Sequence, residues 1–281
     1  MKTPLVSIII ACKNNAEYIT QCLESVKNQT YQNLELIIVD NFSTDGTDEI
    51  ARRYTPAFYQ LWPERSTQFN YGFKQSHGEI IYRIWAEFVL DLDLVEKWVA
   101  KIMNEWFDAL ALHNRSVWES IWAKVRFLER ESYRGRDDIV AVRFMKREVF
   151  ESVGMFNEAL VAGEDFDLHN RIVSAGYKWW HLDAIEQHIG EPKTLGDVWK
   201  KFYYYGRTIR KYQQTTNTWR AVKQLWIFRP SFRALQKDLI KEPKMFLAFW
   251  WYTFIKYLAG FFWVLRGYPK ELLKKDQSHD S

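Results

Sequence analysis

The chain has 281 residues, 47% of them hydrophobic, and a net charge of only +4, so it is long enough to bury a sizeable core as one large α/β domain with an appendage. Its two cysteines, Cys12 and Cys22, lack metal-ligand spacing, which argues against a thiolate metal centre and fits a reducing compartment. The charge is unevenly divided: from Lys193 onward 18 Lys and Arg face six Asp and Glu, +12, leaving −8 for the first 192 residues, so an acidic catalytic part and a basic, aromatic tail are expected.

The apolar run Val6 to Ala11 is too short for a signal peptide and polar residues follow it at once, so the active part is expected to face the cytoplasm. Leu5 to Ala11 is instead the continuous β-branched pattern of a parallel strand buried on both faces. A helix over Ala16 to Asn28, apolar at Ile19, Cys22, Leu23 and Val26, and a second buried strand, Leu34 to Val39, complete a βαβ unit. The polar loop Asp40 to Thr47 then leaves the carboxyl end of a parallel strand, where such folds bind ligands, and its small hydroxyl residues beside a helix over Asp48 to Tyr54 suit a nucleotide or phosphate. Capping alone accounts for Ser43 and Thr44 but not for Asp40.

Further along, Ile80 to Ile84 reads as a strand, and Leu94, Val95, Trp98 and Val99 as the apolar face of a helix that Asp91 and Asp93 open. Residues 103–138 are rich in tryptophan but weakly periodic, and no element is assigned to them. A strand over Ile139 to Phe144 and a short helix stopped by Gly154 follow. The stretch Gly163-Glu164-Asp165-Phe166-Asp167-Leu168-His169-Asn170-Arg171 places three carboxylates and a histidine at the start of a helical run that Gly176 closes. One carboxylate suffices to cap a helix; two in succession behind a glycine point to a general base on a rigid element. Tyr177 to Leu182 reads as a strand with His188 in the loop after it, and Lys200, Lys201, Arg207 and Arg210, interleaved with Phe202 and Tyr203 to Tyr205, as a basic aromatic helix.

In order and spacing, Val6 to Ala11, Cys12-Lys13-Asn14, Val39 to Thr47 and Gly163 to Leu168 resemble the inverting nucleotide-sugar glycosyltransferases of family 2, over roughly residues 4–210. The resemblance implies the GT-A fold, a Rossmann-like nucleotide-sugar-binding α/β mixed sheet flanked by helices, in residues 1–210, with 211–281 a helical appendage. It implies that Asp40 accepts a hydrogen bond from the nucleotide base, typically uracil, and that Ala11 and Lys13 line the nucleotide. Asn70-Tyr71-Gly72 matches the family's Asn-x-Gly element and makes Asn70 a donor-site residue, although Phe69 stands where the family usually has an arginine.

The strand Ile80 to Ile84 should end in a D-x-D that holds the ribose and a divalent metal on the pyrophosphate, yet Trp85-Ala86-Glu87 stands there. The literal Asp91-Leu92-Asp93 opens the next helix, away from the strand end, where acids have an ordinary capping role. Glu87 retains an oxygen ligand for Mn²⁺ or Mg²⁺ and Trp85 a ring for stacking on the donor, so metal use is in doubt. His188 is a second candidate, for the metal or phosphate contact that the resemblance implies near it, weighed against a solvated or satisfied side chain. Asp165 is implied as the base that deprotonates the acceptor hydroxyl; Glu164 is close enough to exchange roles, and paired acids raise one another's pKa. Asp167 and His169 are expected on the helix surface or in supporting positions. The cations of the basic helix, Arg207 among them, would neutralise the departing pyrophosphate or simply face water.

The tail holds 21 residues, Met245 to Leu265, with ten aromatic rings and one charge, Lys256. It is long enough to cross a bilayer, but a central lysine and rings spread along the run favour a helix lying in an anionic membrane surface; packing internally or in a dimer is the third reading. A run of this length fits lipid rather than nucleic acid. The leading expectation is therefore a transferase moving sugar from a UDP-sugar to a glycan or polyprenyl-linked acceptor at the cytoplasmic membrane face. Its rival is an inactive GT-A scaffold, for which Trp85 and Phe69 speak.

Overall fold

The computed structural model describes residues 3–62, 64–134, 141–160, 162–206, 232, 235 and 239–275, with side chains other than those of 183–185 and 263–275. In chain order, β1 (Val6–Cys12), α1 (Ile19–Lys27), β2 (Leu34–Asp40), α2 (Thr47–Ala51), β3 (Phe58–Gln60), α3 (Arg65–Lys74) and β4 (Ile80–Trp85) form the first half. A turn at Ala86 and Glu87 leads to β5 (Phe88–Leu90), followed by α4 (Leu94–Glu105), β6 (Ala109–Ser116), α5 (Ile121–Glu131), β7 (Val142–Lys146) and α6 (Arg147–Ser152). Then come α7 (Glu164–Ser174), β8 (Trp179–His188), α8 (Leu195–Tyr205) and a long helix that we number α9 (Pro243–Lys275).

The strands make one mixed sheet in the order β3-β2-β1-β4-β7-β6-β8-β5. β1 pairs in parallel with both β2 and β4, while β7 runs antiparallel to β4 and β6. This is the α/β mixed sheet flanked by helices that the resemblance implies. β1, apolar but for Ser7, is buried along its whole length, as a central parallel strand must be. The Asn-x-Gly element falls inside α3, and its glycine has a packing cause: a Cβ on Gly72 would stand 2.6 Å from Ile9 Cγ2, so only glycine lets α3 lie this close to the sheet.

Several expectations shift. The weakly periodic stretch contains β6 and α5, and the strand expected over 139–144 is β7, starting at Val142. His188 is the last residue of β8, not part of the loop after it. Asp167 and His169 are not on the helix surface: Asp167 is buried and takes both Arg171 Nε (3.0 Å) and Nη2 (2.7 Å), and His169 is buried with its ring edge-on to Trp179. Asp93 is the residue before α4, but its side chain caps nothing and pairs with Lys97 instead. Arg207 and Arg210 lie outside the described residues, as does the boundary expected at residue 210.

The tail helix differs most from its sequence pattern. Met245, Ala248, Phe249 and Tyr252 of α9 share a core with Val125 of α5 and Val198 of α8. Lys256, whose charge argued for a helix lying in the membrane plane, points inward: its Nζ donates to Glu129 Oε1 of α5 at 2.6 Å. Glu129 is buried and also accepts from Arg126 (2.6 Å) and from the Tyr133 hydroxyl (2.6 Å). The apolar faces of α9 are thus divided, one inward, the other presenting Leu247, Trp251, Phe254 and Phe261 outward.

Since the lysine satisfies a buried carboxylate, Lys256→Met should lower stability by about 2 kcal/mol, the scale of a hydrogen bond to a charged group. Glu129→Gln, which leaves the cations underneutralised, should cost about 3–5 kcal/mol. Urea unfolding of the two variants checks both; a lysine that faced water or lipid would leave the midpoint unchanged.

Candidate active site

The site lies along the carboxyl ends of the parallel strands. Because β1 and β2 pair in register, with Cys12 opposite Asp40, the loops leaving them run side by side and are stitched together. Asn14, in a left-handed conformation, donates its N–H to Ser43 Oγ (2.8 Å) and accepts from the Thr44 N–H (2.9 Å). The Asn15 N–H donates to Thr47 Oγ1 (2.8 Å) and the Ala16 N–H to Asp45 (3.0 Å).

Asp40 is wholly buried at the end of β2, where its carboxylate accepts from the Ser43 N–H (2.8 Å), the Ser43 hydroxyl and Gln60 Nε2 (3.3 Å). Both oxygens brace the loop, and an approaching base would share them. Lys13 extends over the Trp62 ring, its Nζ 5.0 Å from the centroid and 3.4 Å from Asn41 Oδ1. Trp62, 64% exposed, supplies an aromatic wall that its isolated position in sequence did not advertise. Ala11 is buried in the core beside Phe69 and Ile81. Asn70 is buried too: its amide nitrogen donates to Phe156 O (3.0 Å) and Glu158 Oε1 (2.8 Å), and its oxygen accepts from the Phe156 N–H (3.0 Å). It therefore fixes the segment leading to the acidic stretch.

That stretch is entered through Gly163 at φ 82°, a conformation glycine adopts without steric cost, and it places Glu164 and Asp165 in the first turn of α7. Asp165 is 20% exposed, and its Oδ1 accepts from Arg83 Nη2 at 2.5 Å. Glu164 is buried, with Arg65 Nη2 3.8 Å from its Oε1. Burial pushes the Glu164 carboxyl up, the Asp165 charge adds to this, and Arg65 and Arg83 pull it partly back, leaving it at about 7.

At the end of β4 the indole of Trp85 is surrounded by guanidinium groups. Arg143 lies 4.4 Å, Arg83 5.1 Å and Arg65 5.7 Å from its centroid. Arg83 and Arg143 are buried in the sheet; Arg143 pairs with Glu186 at 2.6 Å, and Glu186 also accepts from the Tyr82 hydroxyl. Glu87 lies 3.1 Å from His188 Nε2, whose Nδ1 stands 3.1 Å from Glu191, itself 2.9 Å from Arg130. Burial works against the charged form of Glu87, but the His188 contact, with Lys201 and Arg65 behind it, holds its pKa down to about 2.

The structure therefore brings together Asp165, Glu164, Trp85, Glu87 and His188 and joins Asp40 to Lys13 in the neighbouring loop pair. Sequence reasoning missed Arg65, Arg83 and Arg143. The signal for Arg83 was a lone charge inside the apolar strand Ile80-Ile81-Tyr82-Arg83-Ile84, which in a buried strand requires a carboxylate partner.

The model of the family described as Glycosyl transferase family 2 matches residues 7–153. Glycosyltransferase AglE of Haloferax volcanii is 30% identical over 222 residues, 73% of this chain and 72% of that one. Succinoglycan biosynthesis protein ExoA of Rhizobium meliloti is 26% identical over 222 residues, 71% of this chain and 67% of that protein. Among solved structures, the mannosyltransferase PcManGT of Pyrobaculum calidifontis in complex with GDP-Man and Mn²⁺ superposes with a TM-score of 0.62 at 17% identity, covering 93% of this chain and 88% of that one. S. aureus TarS 1-349 in complex with UDP-GlcNAc gives 0.57 at 16% identity, covering 86% and 78%.

The Glu164 pKa fixes the sign of a pH effect on stability. The folded chain keeps this proton to about pH 7, whereas the unfolded chain releases it near 4.5. Its contribution is therefore complete below pH 4.5 and is lost as the pH rises through 7. Glu164→Gln, which mimics the protonated form, should flatten stability between pH 4.5 and 8 and make the variant more stable than the native chain at pH 8, by up to about 3 kcal/mol. Urea midpoints across that range read the effect; parallel curves for the two proteins would refute it.

Proposed function

Since the chain belongs to glycosyl transferase family 2, we propose that it is an inverting enzyme that carries a sugar from a nucleotide donor, a UDP-sugar by preference, to an acceptor hydroxyl, with Asp165 as the base. One observation carries this reading: a partly exposed carboxylate on the first turn of α7 has one oxygen held at 2.5 Å by a buried guanidinium. A base needs a fixed orientation and access to its substrate, and the pinned, partly exposed Asp165 has both. It would take the acceptor's proton as that oxygen attacks the anomeric carbon, while the bond to the nucleoside diphosphate breaks on the opposite face; a single displacement inverts the centre. Glu164 is buried, so an acceptor reaches it less readily than Asp165, and it serves instead to position Arg65. Lys13, Trp62 and the Asp40 loop would take the nucleoside. Nucleotide-sugar complexes of neighbouring structures, one with UDP-GlcNAc and one with GDP-Man, support the donor class.

The acceptor in this reading is a polyprenyl-linked or other membrane-bound glycan reached from the cytoplasmic face. Its support is the outward face of α9, a stripe of Leu247, Trp251, Phe254 and Phe261 on a helix long and apolar enough, by length and composition, to cross a membrane. Because its inward face is taken by α5 and α8, we read α9 as lying in the interface, held by this stripe and by Lys244 and the basic sequence beyond Leu265 on anionic lipid.

The competing scaffold reading rests on Trp85, which removes an acid from the strand end. Asp165→Asn separates the two. For an enzyme, transfer across a panel of nucleotide-sugars should fall about 10²–10⁴-fold while donor affinity is kept; a scaffold would show donor binding with no turnover in the native chain. For the membrane reading, the double variant Trp251→Glu, Phe254→Glu should lose co-flotation with vesicles of anionic lipid at low salt, and undiminished flotation would refute the docking face.

A further inference from the structure

Glycosyltransferases of this fold that use a divalent ion hold it at the end of the strand equivalent to β4, so the first question is whether the residues there fit one. Mn²⁺ and Mg²⁺ need several oxygen ligands in open geometry. Trp85 has none. Glu87 has a carboxylate, but it is folded onto the end of β8, with His188 Nε2 3.1 Å from Oε1 and Gly190 so close that a Cβ there would stand 2.9 Å from the Glu87 side chain. His188 is buried with a carboxylate facing each ring nitrogen. Among the described residues no group of three His, Cys, Asp or Glu is placed to hold a metal ion.

Cations already crowd the position that a dication would take. Three guanidinium groups lie within 5.7 Å of the Trp85 centroid. Two of them are neutralised inside the sheet, Arg83 by Asp165 and Arg143 by Glu186. Arg65 is the one that reaches the cleft: its side chain is 29% exposed, and it lies over the rings of Trp85 and Tyr205, the latter 5.5 Å away. Glu164 Oε1 lies 3.8 Å from Arg65 Nη2, and the charge of Glu87 is felt there as well. Lys201 of α8 adds a positive charge on the Glu87 side, where it helps to lower that carboxyl's pKa.

We propose that this chain binds the donor's diphosphate without a divalent metal, Arg65 acting as the cation over the Trp85 ring, and Lys201 on the Glu87 side adding to the positive field. A planar guanidinium set against two rings presents paired N–H donors to phosphate oxygens with less orientational freedom to lose than a free side chain, part of what a metal clamp otherwise supplies. In this arrangement the tryptophan at the first D-x-D position shelves an arginine instead of ligating an ion. The inference rests on the reading that the chain takes a nucleotide-sugar.

Titration calorimetry of the full chain with UDP and with GDP, in EDTA, in Mn²⁺ and in Mg²⁺, tests it. The expected result is a Kd for one of the nucleotides that agrees within about twofold across the three conditions, and a loss of tenfold or more in EDTA for Arg65→Met, with Arg65→Lys in between. Lys201→Met should weaken binding in the same direction and serves if the Arg65 variants fail to fold, which their urea midpoints report. Binding that needs Mn²⁺ or Mg²⁺ and vanishes in EDTA overturns the proposal and leaves the transferase reading standing. Metal-free binding indifferent to both Arg65→Met and Lys201→Met overturns the assignment of the cations. Failure of either nucleotide to bind under any condition removes this proposal together with the donor reading beneath it.

Discussion

A guanidinium buried in the middle of a sheet must find a carboxylate, and the way Arg83 meets that requirement organises the site. Its partner is not on a neighbouring strand but on the first turn of α7, so the ion pair with Asp165 ties the helix entrance to the strand whose end forms the cleft floor. Removing either member would leave the other as an uncompensated charge in a poorly solvated place, which costs several kcal/mol. The acidic turn is thereby held in one position, and Gly163 and Asn70 fix the path of the chain into it. A second buried pair, Arg143 with Glu186, does the same for β7 and β8 beside it. The end of β4 is therefore lined by buried guanidinium groups, each neutralised by a carboxylate, one from α7 and one from β8.

This explains which parts of the molecule could be read from the sequence. The βαβ unit was legible because a strand buried on both faces is almost continuously apolar and needs no partner to announce it; Val6 to Cys12, interrupted only by Ser7, is such a strand. The acidic turn of α7 was legible because two consecutive acids behind a glycine exceed what capping needs. β6 was not, since Ala109 to Ser116 alternates into His113, Asn114 and Arg115 toward its end and resembles a polar loop until β8 and β7 flank it. Nor were the arginines around Trp85, because their role depends on carboxylates far away in sequence. Phe69 looked like a lost charge, yet its ring packs 5.6 Å from the Arg83 guanidinium, so a positive group stands in that neighbourhood all the same, delivered from β4.

The tail shows the opposite error. Hydropathy treats Lys256 as a charge interrupting an apolar helix, but the residue is balanced by Glu129, a carboxylate more than a hundred positions earlier. Once that pair is recognised, α9 is a two-faced helix: one face completes the core over α5 and α8, and the other is apolar without a cover among the described residues. Average hydropathy cannot distinguish the two, whereas the direction of a single lysine does.

The placement of α5 has a consequence for how such a protein can be rebuilt. Its Glu129 holds Lys256 of α9, and the next residue, Arg130, holds Glu191, which faces His188 and through it Glu87 at the cleft. The tail helix and the Glu87–His188 end of the site are thus anchored on successive residues of one short helix. A chimera that exchanges the tail at a sequence boundary near residue 210 would break this joint; a graft that respects it must carry α5 along, although α5 lies in the middle of the catalytic region. The natural unit of exchange here is discontinuous in sequence.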